Sequence, residues 1–538
     1  MARRTDSRAC PQRMRFDGRS RTFTLGSITT TSARWITWLR SPRMSEPRPH
    51  AVFLPAWSPE IGGGHLMRCL TLGHAMDRQG WRVSIALNET AAAQLPNAKP
   101  FNYNAIVLSD DQLRSNADLK KATGEGCRLA VVDDYESDEA FEADLAAWAE
   151  NILVIDDLAD KAHRCRYLLD TSPARKDTDY RGLIPSDCLV MAGPAFALIR
   201  DEFNHQRSAA LRRRPAVRSI ARVLISFGLT DAANMTAKVL KAIQNTGRDL
   251  EIDVVLGNAA PHWAEISGIV DAMGESVTLH RNPKNFPELA VEADIAFGAP
   301  GVSSLERCCL GLPTITVPVA DNQKTNARGL AEVGAIQLLD QTASESDLGN
   351  ALRNMIGDVE RVRMMSDAAF SICDGRGAAR TFLAVSPEPT KGPLPLSSRP
   401  ATTADTDTVY RWQSAPGSRT YSRNPKVPGY EEHRAWMASR LMPQAGLFEI
   451  MTMGKAPVGM VRLDLESDAV GTYEVSILIA PEMRGQGIGR AALAAARRLV
   501  PEGTFLATIH PDNAPSRKIF SAAGYIPENS RFISRPTP

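Results

Sequence analysis

From residue 50 to residue 317, short apolar runs alternate with helix-length amphipathic stretches, and this alternation limits the possible folds more than any other feature of the sequence. His50–Ala56, Trp81–Leu87, Ala105–Leu108, Leu129–Asp133 and Asn151–Ile155 have the length of strands, and the stretches between them have the length of helices. The first such stretch carries Leu66, Leu70, Gly73 and Met76 at i, i+4, i+7 and i+10, one face of a helix. Strands without polar alternation, each followed by a helix, predict βαβ units and a parallel sheet covered on both faces. A basic, polar break at 204–218, including Arg212-Arg213-Arg214-Pro215, interrupts the series. It restarts with Ile220–Ser226, Glu251–Leu256, Val277–Leu279, Ile295–Phe297 and Thr314–Val317. Doubly wound sheets seldom grow to about 330 residues without dividing. The expectation is therefore two α/β halves, 46–215 and 216–385, meeting at a cleft.

The chain has 538 residues, room for three or four domains at ~150 residues each. Residues 386–401 hold five Pro, which predicts a stiff linker over 386–402 and a third unit over 403–538. The net charge of +2 is unevenly spread: residues 1–43 carry ten Arg, two Asp and no Lys, and the remaining chain is net −6. A general nucleic-acid binder would hold its basic surface on the folded body, so that class is disfavoured. No apolar run reaches the ~18 residues of a membrane span. Residues 1–45 are expected to be a disordered Arg-rich extension without chemistry, consistent with a start placed too far upstream, since Met44 directly precedes the patterned chain. A transit peptide or nucleic-acid arm is the alternative for the same composition. The eight cysteines include no C-x-x-C pair, so neither a zinc knuckle nor a disulfide framework is expected. Adjacent Cys308 and Cys309 read as packed thiols, and the overall usage fits a reducing cytosol.

Gly62-Gly63-Gly64-His65 stands between the first strand and the first helix, where ligands of parallel sheets bind. Glycine lets the backbone approach a ligand, and the helix N-terminus behind it offers free N–H groups to an anion. No Lys-Ser/Thr follows, so this is not an ATP P-loop. An imidazole at this place suits a general base, and a simple helix cap is the alternative. In the second half, Ser226-Phe227-Gly228-Leu229-Thr230-Asp231 and Gly298-Ala299-Pro300-Gly301-Val302-Ser303-Ser304-Leu305-Glu306 again link a strand to a helix. A carboxylate such as Glu306 can accept both ribose hydroxyls of a nucleotide while Gly and Ser amides hold its pyrophosphate. It can equally be a helix residue matched to the dipole.

The last unit contains the strand Glu474–Ile479, then Arg484-Gly485-Gln486-Gly487-Ile488-Gly489-Arg490, then a helix with Leu493, Ala496 and Val500 on one face. R-x-x-G-x-G at a strand-to-helix turn builds a nest of N–H groups for a pyrophosphate. The strand Thr504–Ile509 and the segment Asn513–Tyr525 follow.

These motifs support two resemblances. Residues 50–385 resemble the GT-B-like UDP-sugar hydrolases of pseudaminic acid biosynthesis, which release UDP from UDP-2,4-diacetamido-2,4,6-trideoxy-β-L-altropyranose. The matching stretches are Ile61–Leu70, Val131–Tyr135, Val154–Asp157, Ala197–Phe203 and Ala299–Pro313. The resemblance implies His65 as the base that activates water, Gly64, Thr230, Ser303, Ser304, Glu306, Gln323 and Asn326 around UDP, and Asp133 and Tyr135 on the sugar side. Leu229 departs from the pair of glycines usual in that family. The last unit resembles GNAT N-acetyltransferases, and Glu431–Trp436 resembles the N-terminal helices of members acting on amino sugars. This implies acetyl-CoA as co-substrate, held by Ile479, Arg484, Gly485, Gln486, Gly487, Ile488, Gly489, Arg490, Asn513 and Ser516, between two splayed strands. Glu474 is the candidate base. Phe520 falls where many members have a proton-donating Tyr, and Phe cannot donate.

The sequence thus predicts an α/β chain, a GT-B-like pair of Rossmann-type domains followed by a GNAT α/β domain. The expected activity is a bifunctional one, N-acetylation of a UDP-4-amino sugar and hydrolysis of UDP from the UDP-diacetamido sugar, with no metal. A GT-B glycosyltransferase fused to an N-acetyltransferase of other specificity is the alternative, and a degenerate sugar-nucleotide module tethered to an active acetyltransferase is a third reading.

Overall fold

The computed structural model describes residues 48–56, 63–93, 95, 101–124, 126–228, 230–258, 260–321, 323–466, 471–528 and 530–536. The Arg-rich extension, Ile61-Gly62 of the first glycine turn and Leu229 lie outside these described residues.

The first sheet is made of β1 (His50–Pro55), β2 (Arg82–Leu87), β3 (Asn104–Val107), β4 (Leu129–Asp133), β5 (Ile152–Ile155), β6 (Tyr167–Asp170) and β7 (Leu189–Ala192), ordered β3-β2-β1-β4-β5-β6-β7. All its pairings are parallel. Every residue of β1, β4 and β5 is buried, as a central strand covered on both faces requires. The second sheet repeats the plan with β8 (Arg222–Ser226), β9 (Glu251–Leu256), β10 (Val277–Arg281), β11 (Ile295–Gly298), β12 (Thr314–Thr316) and β13 (Ile336–Leu338), ordered β10-β9-β8-β11-β12-β13. In each sheet the order reverses beside the first strand, between β1 and β4 and between β8 and β11. Ligands of such sheets bind outside the strand carboxyl ends at this reversal. The three glycine-containing turns singled out above in the two halves, after β1, β8 and β11, leave from it.

The third sheet, ordered β14-β15-β16-β17-β18-β20-β19, consists of β14 (Leu396–Pro400), β15 (Gly446–Met453), β16 (Ala456–Leu465), β17 (Thr472–Ile479), β18 (Thr504–Ala507), β19 (Ile526–Glu528) and β20 (Arg531–Ser534). Here the structure departs from the expected linker over 386–402. Its last residues form β14, which pairs antiparallel with β15 from Leu396↔Met453 to Pro400↔Glu449. Its one proline, Pro400, is compatible with this, because β14 is an edge strand. The molecule is thus α/β, a GT-B-like pair of Rossmann-type halves followed by a GNAT domain.

The helices used below are α1 (Gly64–Asp77), α2 (Asp201–Arg213), α3 (Val302–Cys309), α4 (Gln323–Glu332), α5 (Gly377–Val385), α6 (Thr406–Ser414), α7 (Tyr430–Arg440), α8 (Ile488–Leu499) and α9 (Ala514–Ala522). The expected apolar face of α1, with Leu66, Leu70, Gly73 and Met76, is buried. Cys308 and Cys309 pack inside the second half. Helix α5 is shared between units: Phe382 and Val385 join the core of the first half, and Leu383 joins that of the third unit. Its Arg380, fully buried, donates to Glu449 of β15 (2.7 Å) and to the carbonyl of Ala195 (2.8 Å), and pairs with Asp374. Among the described residues no helix is long and apolar enough to cross a membrane, and no cluster of His, Cys, Asp and Glu could hold a metal.

Candidate active sites

At the first reversal point, β1 and β4 bring α1 and Asp133 together. His65 occupies the first turn of α1, and Asp133 ends β4. Nδ1 of His65 lies 2.6 Å from Oδ1 of Asp133 and 3.1 Å from its carbonyl oxygen. Arg68, one turn further along α1, donates Nε–H to Oδ2 of Asp133 (2.6 Å) and Nη2–H to Oδ1. Asp133 is completely buried. Burial alone would raise its pKa, but Arg68 and His65 outweigh that and hold it at about 2. The carboxylate is therefore ionised, and His65 donates Nδ1–H to it, which leaves Nε2 as the proton acceptor. Sequence reading put Asp133 on the sugar side. In the structure both its carboxylate oxygens are engaged by His65 and Arg68.

Arg68 also donates to Asp157 (3.1 Å), which in turn accepts from the Tyr135 hydroxyl (2.8 Å). The Tyr135 ring stands edge-on to His65, with centroids 4.8 Å apart at 86°. Tyr135 is half-buried beside the imidazole. Arg68 was missed by sequence reading. Its signal was an arginine at i+3 from His65 on a buried helix face.

The second half meets this group across the cleft. A Cβ on Gly64 would lie 3.6 Å from Cγ2 of Val302, so the N-termini of α1 and α3 face each other. Neither the Gly63 cap of α1 nor the Gly301 cap of α3 is satisfied by a side chain, and neither first turn contains an acid. Their free N–H groups and dipoles create positive potential at one place. Gln323, first residue of α4, adds a side-chain amide, its Nε2 lying 4.0 Å from where a Gly301 Cβ would be. Beneath the loop, the buried Arg307 donates to the carbonyl of Ala299 (2.7 Å) and to Oγ of Ser303 (3.2 Å). Only glycine at 298 leaves room for it, since a Cβ there would stand 2.8 Å from the guanidinium carbon. Burial lowers the Arg307 pKa to about 10, so it stays charged at neutral pH.

Ser303 and Asn326 are half-buried and Thr230 is exposed, while the hydroxyl of the buried Ser304 donates back to the Gly301 carbonyl (2.6 Å). Oδ1 of Asn326 is buried without a hydrogen-bond partner among the described residues. The other turn of this half is closed to anions at its helix: Asp231 accepts from the N–H groups of Met235 (3.0 Å) and Thr236 (2.9 Å). Glu306, expected on a ribose, is buried and receives both Nε (2.6 Å) and Nη2 (3.1 Å) of Arg200. Arg200 directly precedes α2, at the passage between the halves, and sequence reading gave it no role.

In the third unit the expected splay is present. β17 pairs with β16 along its whole length, from Leu465↔Tyr473 to Gly459↔Ile479. It pairs with β18 only at Thr472, Tyr473 and Glu474. Past Glu474 the two strands part, leaving a slot bordered by half-buried Ile479. At its end Gly485 (φ 83°) and Gly487 (φ 81°) adopt a conformation that other residues rarely take, and Gly487 caps α8 without a side chain. The loop Arg484-Gly485-Gln486-Gly487 therefore turns its amides into an open anion nest ahead of Ile488. Lys391 donates its N–H to the Gln486 carbonyl (2.9 Å), and Arg484 and Arg490 are exposed at the rim. Gly489 lets α8 and α9 pack closely, a Cβ there lying 3.2 Å from Ile519. Asn513 caps α9, accepting from the Ser516 N–H (3.1 Å) and keeping its amide NH₂ free of that bond. Phe520 is buried edge-on against Tyr525 (4.9 Å). Glu474 accepts from the Thr508 hydroxyl (3.0 Å) and from Arg423.

Residues 396–526 match a family model described as an acetyltransferase (GNAT) domain. The UDP-2,4-diacetamido-2,4,6-trideoxy-β-L-altropyranose hydrolase of Campylobacter jejuni is 28% identical over 196 residues, covering 35% of this chain and 64% of that protein. Protein MJ1062 of Methanocaldococcus jannaschii is 22% identical over 264 residues, 48% of this chain and 54% of that protein. The spore coat polysaccharide biosynthesis protein SpsG of Bacillus subtilis is 22% identical over 161 residues, 30% of this chain and 46% of that protein. The matches thus span about half to two thirds of the length of these curated relatives. Among solved structures, MurG of Acinetobacter baumannii superposes with a TM-score of 0.47 at 13% identity, over 63% of this chain and 99% of that one. An acetyltransferase from Thermus thermophilus superposes with a TM-score of 0.24 at 18% identity, over 26% of this chain and 96% of that one.

Proposed function

We propose that the paired Rossmann-type halves hydrolyse UDP from a UDP-linked 2,4-diacetamido-2,4,6-trideoxyhexose, and that the GNAT domain N-acetylates the matching UDP-4-amino sugar with acetyl-CoA. The observation that carries the hydrolase reading is the His65–Asp133 pair beside two facing helix N-termini. Nε2 of His65 takes a proton from water, and the water oxygen bonds to the anomeric carbon. The bond from that carbon to the diphosphate oxygen breaks, and its electron pair leaves on UDP. The imidazolium formed is stabilised by Asp133, much as a buried carboxylate supports other histidine bases. The starts of α1 and α3, with Arg307 beneath, stabilise the charge that grows on the diphosphate. UDP is a good leaving group, so no strong general acid is required. Tyr135 borders the sugar, and Gly64, Thr230, Ser303, Ser304, Glu306, Gln323 and Asn326 surround UDP in this reading.

In the GNAT domain, the open nest of Gly485–Gly489 fits a pyrophosphate, and the slot past Glu474 fits an extended pantetheine. Arg484, Arg490, Asn513 and Ser516 border the same path. Acetyl-CoA supplies the acetyl group when bound. Glu474 receives the ammonium proton, and solvent protonates the CoA thiolate, because Phe520 carries no proton.

The reading is tested by incubating the full chain with a UDP-4-amino-4,6-dideoxy-N-acetylhexosamine, with and without acetyl-CoA, and following products by mass spectrometry. Acetylation followed by appearance of UDP and a free diacetamido sugar is expected. UDP appearing only when an acceptor alcohol is supplied would replace hydrolysis with glycosyl transfer.

A further inference from the structure

The connection between α6 and α7 closes over the mouth of the acetyltransferase slot. From Thr408 to Tyr430 the chain carries Arg411, Arg419, Arg423 and Lys426 and no acidic residue. The connection touches the slot at three places. The Ser418 hydroxyl accepts from Nη2 of Arg484 on the nest (2.8 Å). The Tyr421 ring lies 5.5 Å from that of His510, just past β18. Arg423 donates to the Thr508 hydroxyl (3.2 Å) and to Oε1 of Glu474, the oxygen that Thr508 also serves. Arg419 braces the turn by donating to the Asn424 carbonyl (2.6 Å).

The positions of these charges are informative. Glu474 stands where the strands part, so it is the carboxylate an incoming ammonium meets. In this structure a guanidinium already holds it. Arg423 is 68% exposed at its side chain while Glu474 is 19% exposed, so the cation reaches in from solvent rather than belonging to a buried pair. An exposed ion pair of this kind contributes little stability and is readily exchanged. A neutral amine has nothing to offer Arg423 in exchange for Glu474. An amine on a molecule that also bears a phosphate does.

We infer that Arg423 selects amine acceptors carrying a phosphate or diphosphate, by moving from Glu474 to that anionic group and leaving Glu474 to accept the ammonium proton. In the step that follows, the amine nitrogen bonds to the acetyl carbon and the carbon–sulfur bond breaks. The electron pair leaves on the CoA sulfur, which solvent protonates. The inference rests on the acetyltransferase part of the proposed function and assigns the residue that recognises the acceptor's phosphate.

The test measures thiol release from saturating acetyl-CoA by the full chain and by Arg423→Gln with two acceptor pairs. One is UDP-4-amino-4,6-dideoxy-N-acetylhexosamine against the methyl glycoside of the same sugar. The other is glucosamine 6-phosphate against glucosamine. The unmodified chain is expected to favour the phosphorylated member of a pair by ~10-fold or more in kcat/KM, the size of one charge-assisted contact. Arg423→Gln is expected to remove that preference, lowering the phosphorylated member and raising the neutral one. Arg423→Lys should restore part of it. The preference on the glucosamine pair alone would keep the inference and remove the sugar assignment made above. Turnover of the UDP-linked amine without dependence on Arg423 would keep that assignment and overturn the inference. An equal fall for both members, no preference in the unmodified chain, or no turnover of either pair would also overturn it.

Discussion

Nδ1 of His65 and Oδ1 of Asp133 lie 2.6 Å apart, joined across 68 residues of sequence by the adjacency of β1 and β4. The pair fixes which ring nitrogen is free, and the proposed hydrolysis rests on that choice. Asp133→Asn keeps the shape but lets the ring adopt the other tautomer. It should lower kcat for UDP release by ~10²–10⁴-fold, the span of general-base catalysis, with little change in KM. A variant that keeps full kcat would remove His65 from the role of base.

Glu306 gives both oxygens to Arg200, and in the proposed complex it also receives the ribose hydroxyls. Glu306→Gln should weaken UDP binding by ~10-fold in calorimetry, the size of a charged hydrogen bond lost. Unchanged affinity would make Glu306 only a tie between the halves.

His163, buried behind β5, contacts Glu142 (2.7 Å) and Asp156 (3.7 Å). Burial disfavours its charge, but the two carboxylates outweigh this and push its pKa from 6.5 up to about 9. A raised folded-state value means that the stabilisation is complete below pH 6.5 and is lost as pH rises through 9. The unfolding free energy of the chain should fall over that window, and His163→Gln should flatten the fall. A parallel pH dependence in both proteins would contradict the assignment.

Arg380 is the buried partner of Glu449, whose carboxyl pKa burial pushes up. Arg380→Leu leaves that acid alone in the interface between α5 and β15. Urea unfolding should show a loss of ~3–5 kcal/mol, as for other broken buried pairs. A loss below ~1 kcal/mol would mean that Glu449 finds water or a proton at little cost.

Local pattern made part of the molecule legible. Strands β1, β4, β8 and β11 carry uninterrupted apolar stretches, glycines after β1, β8 and β11 mark the cleft, and those after β17 mark the anion nest. β14 was hidden because five prolines read as a linker, yet an edge strand tolerates proline. The pairings Asp133 with His65, Glu306 with Arg200 and Glu474 with Arg423 were not legible. Each joins residues 51 to 106 positions apart, and only the packed sheets and the connection between α6 and α7 bring them together. Arg68 and Arg200 both stood inside stretches already singled out. An arginine in a buried helix turn beside a candidate base was the signal available.

The central claim is that His65 directs water to the anomeric carbon, and hydrolysis in H₂¹⁸O reads this directly. Attack at carbon predicts UDP without ¹⁸O, formed in the absence of any acceptor alcohol, and loss of this turnover in His65→Ala. UDP carrying ¹⁸O on its β-phosphate, or UDP release undiminished in His65→Ala, would contradict it.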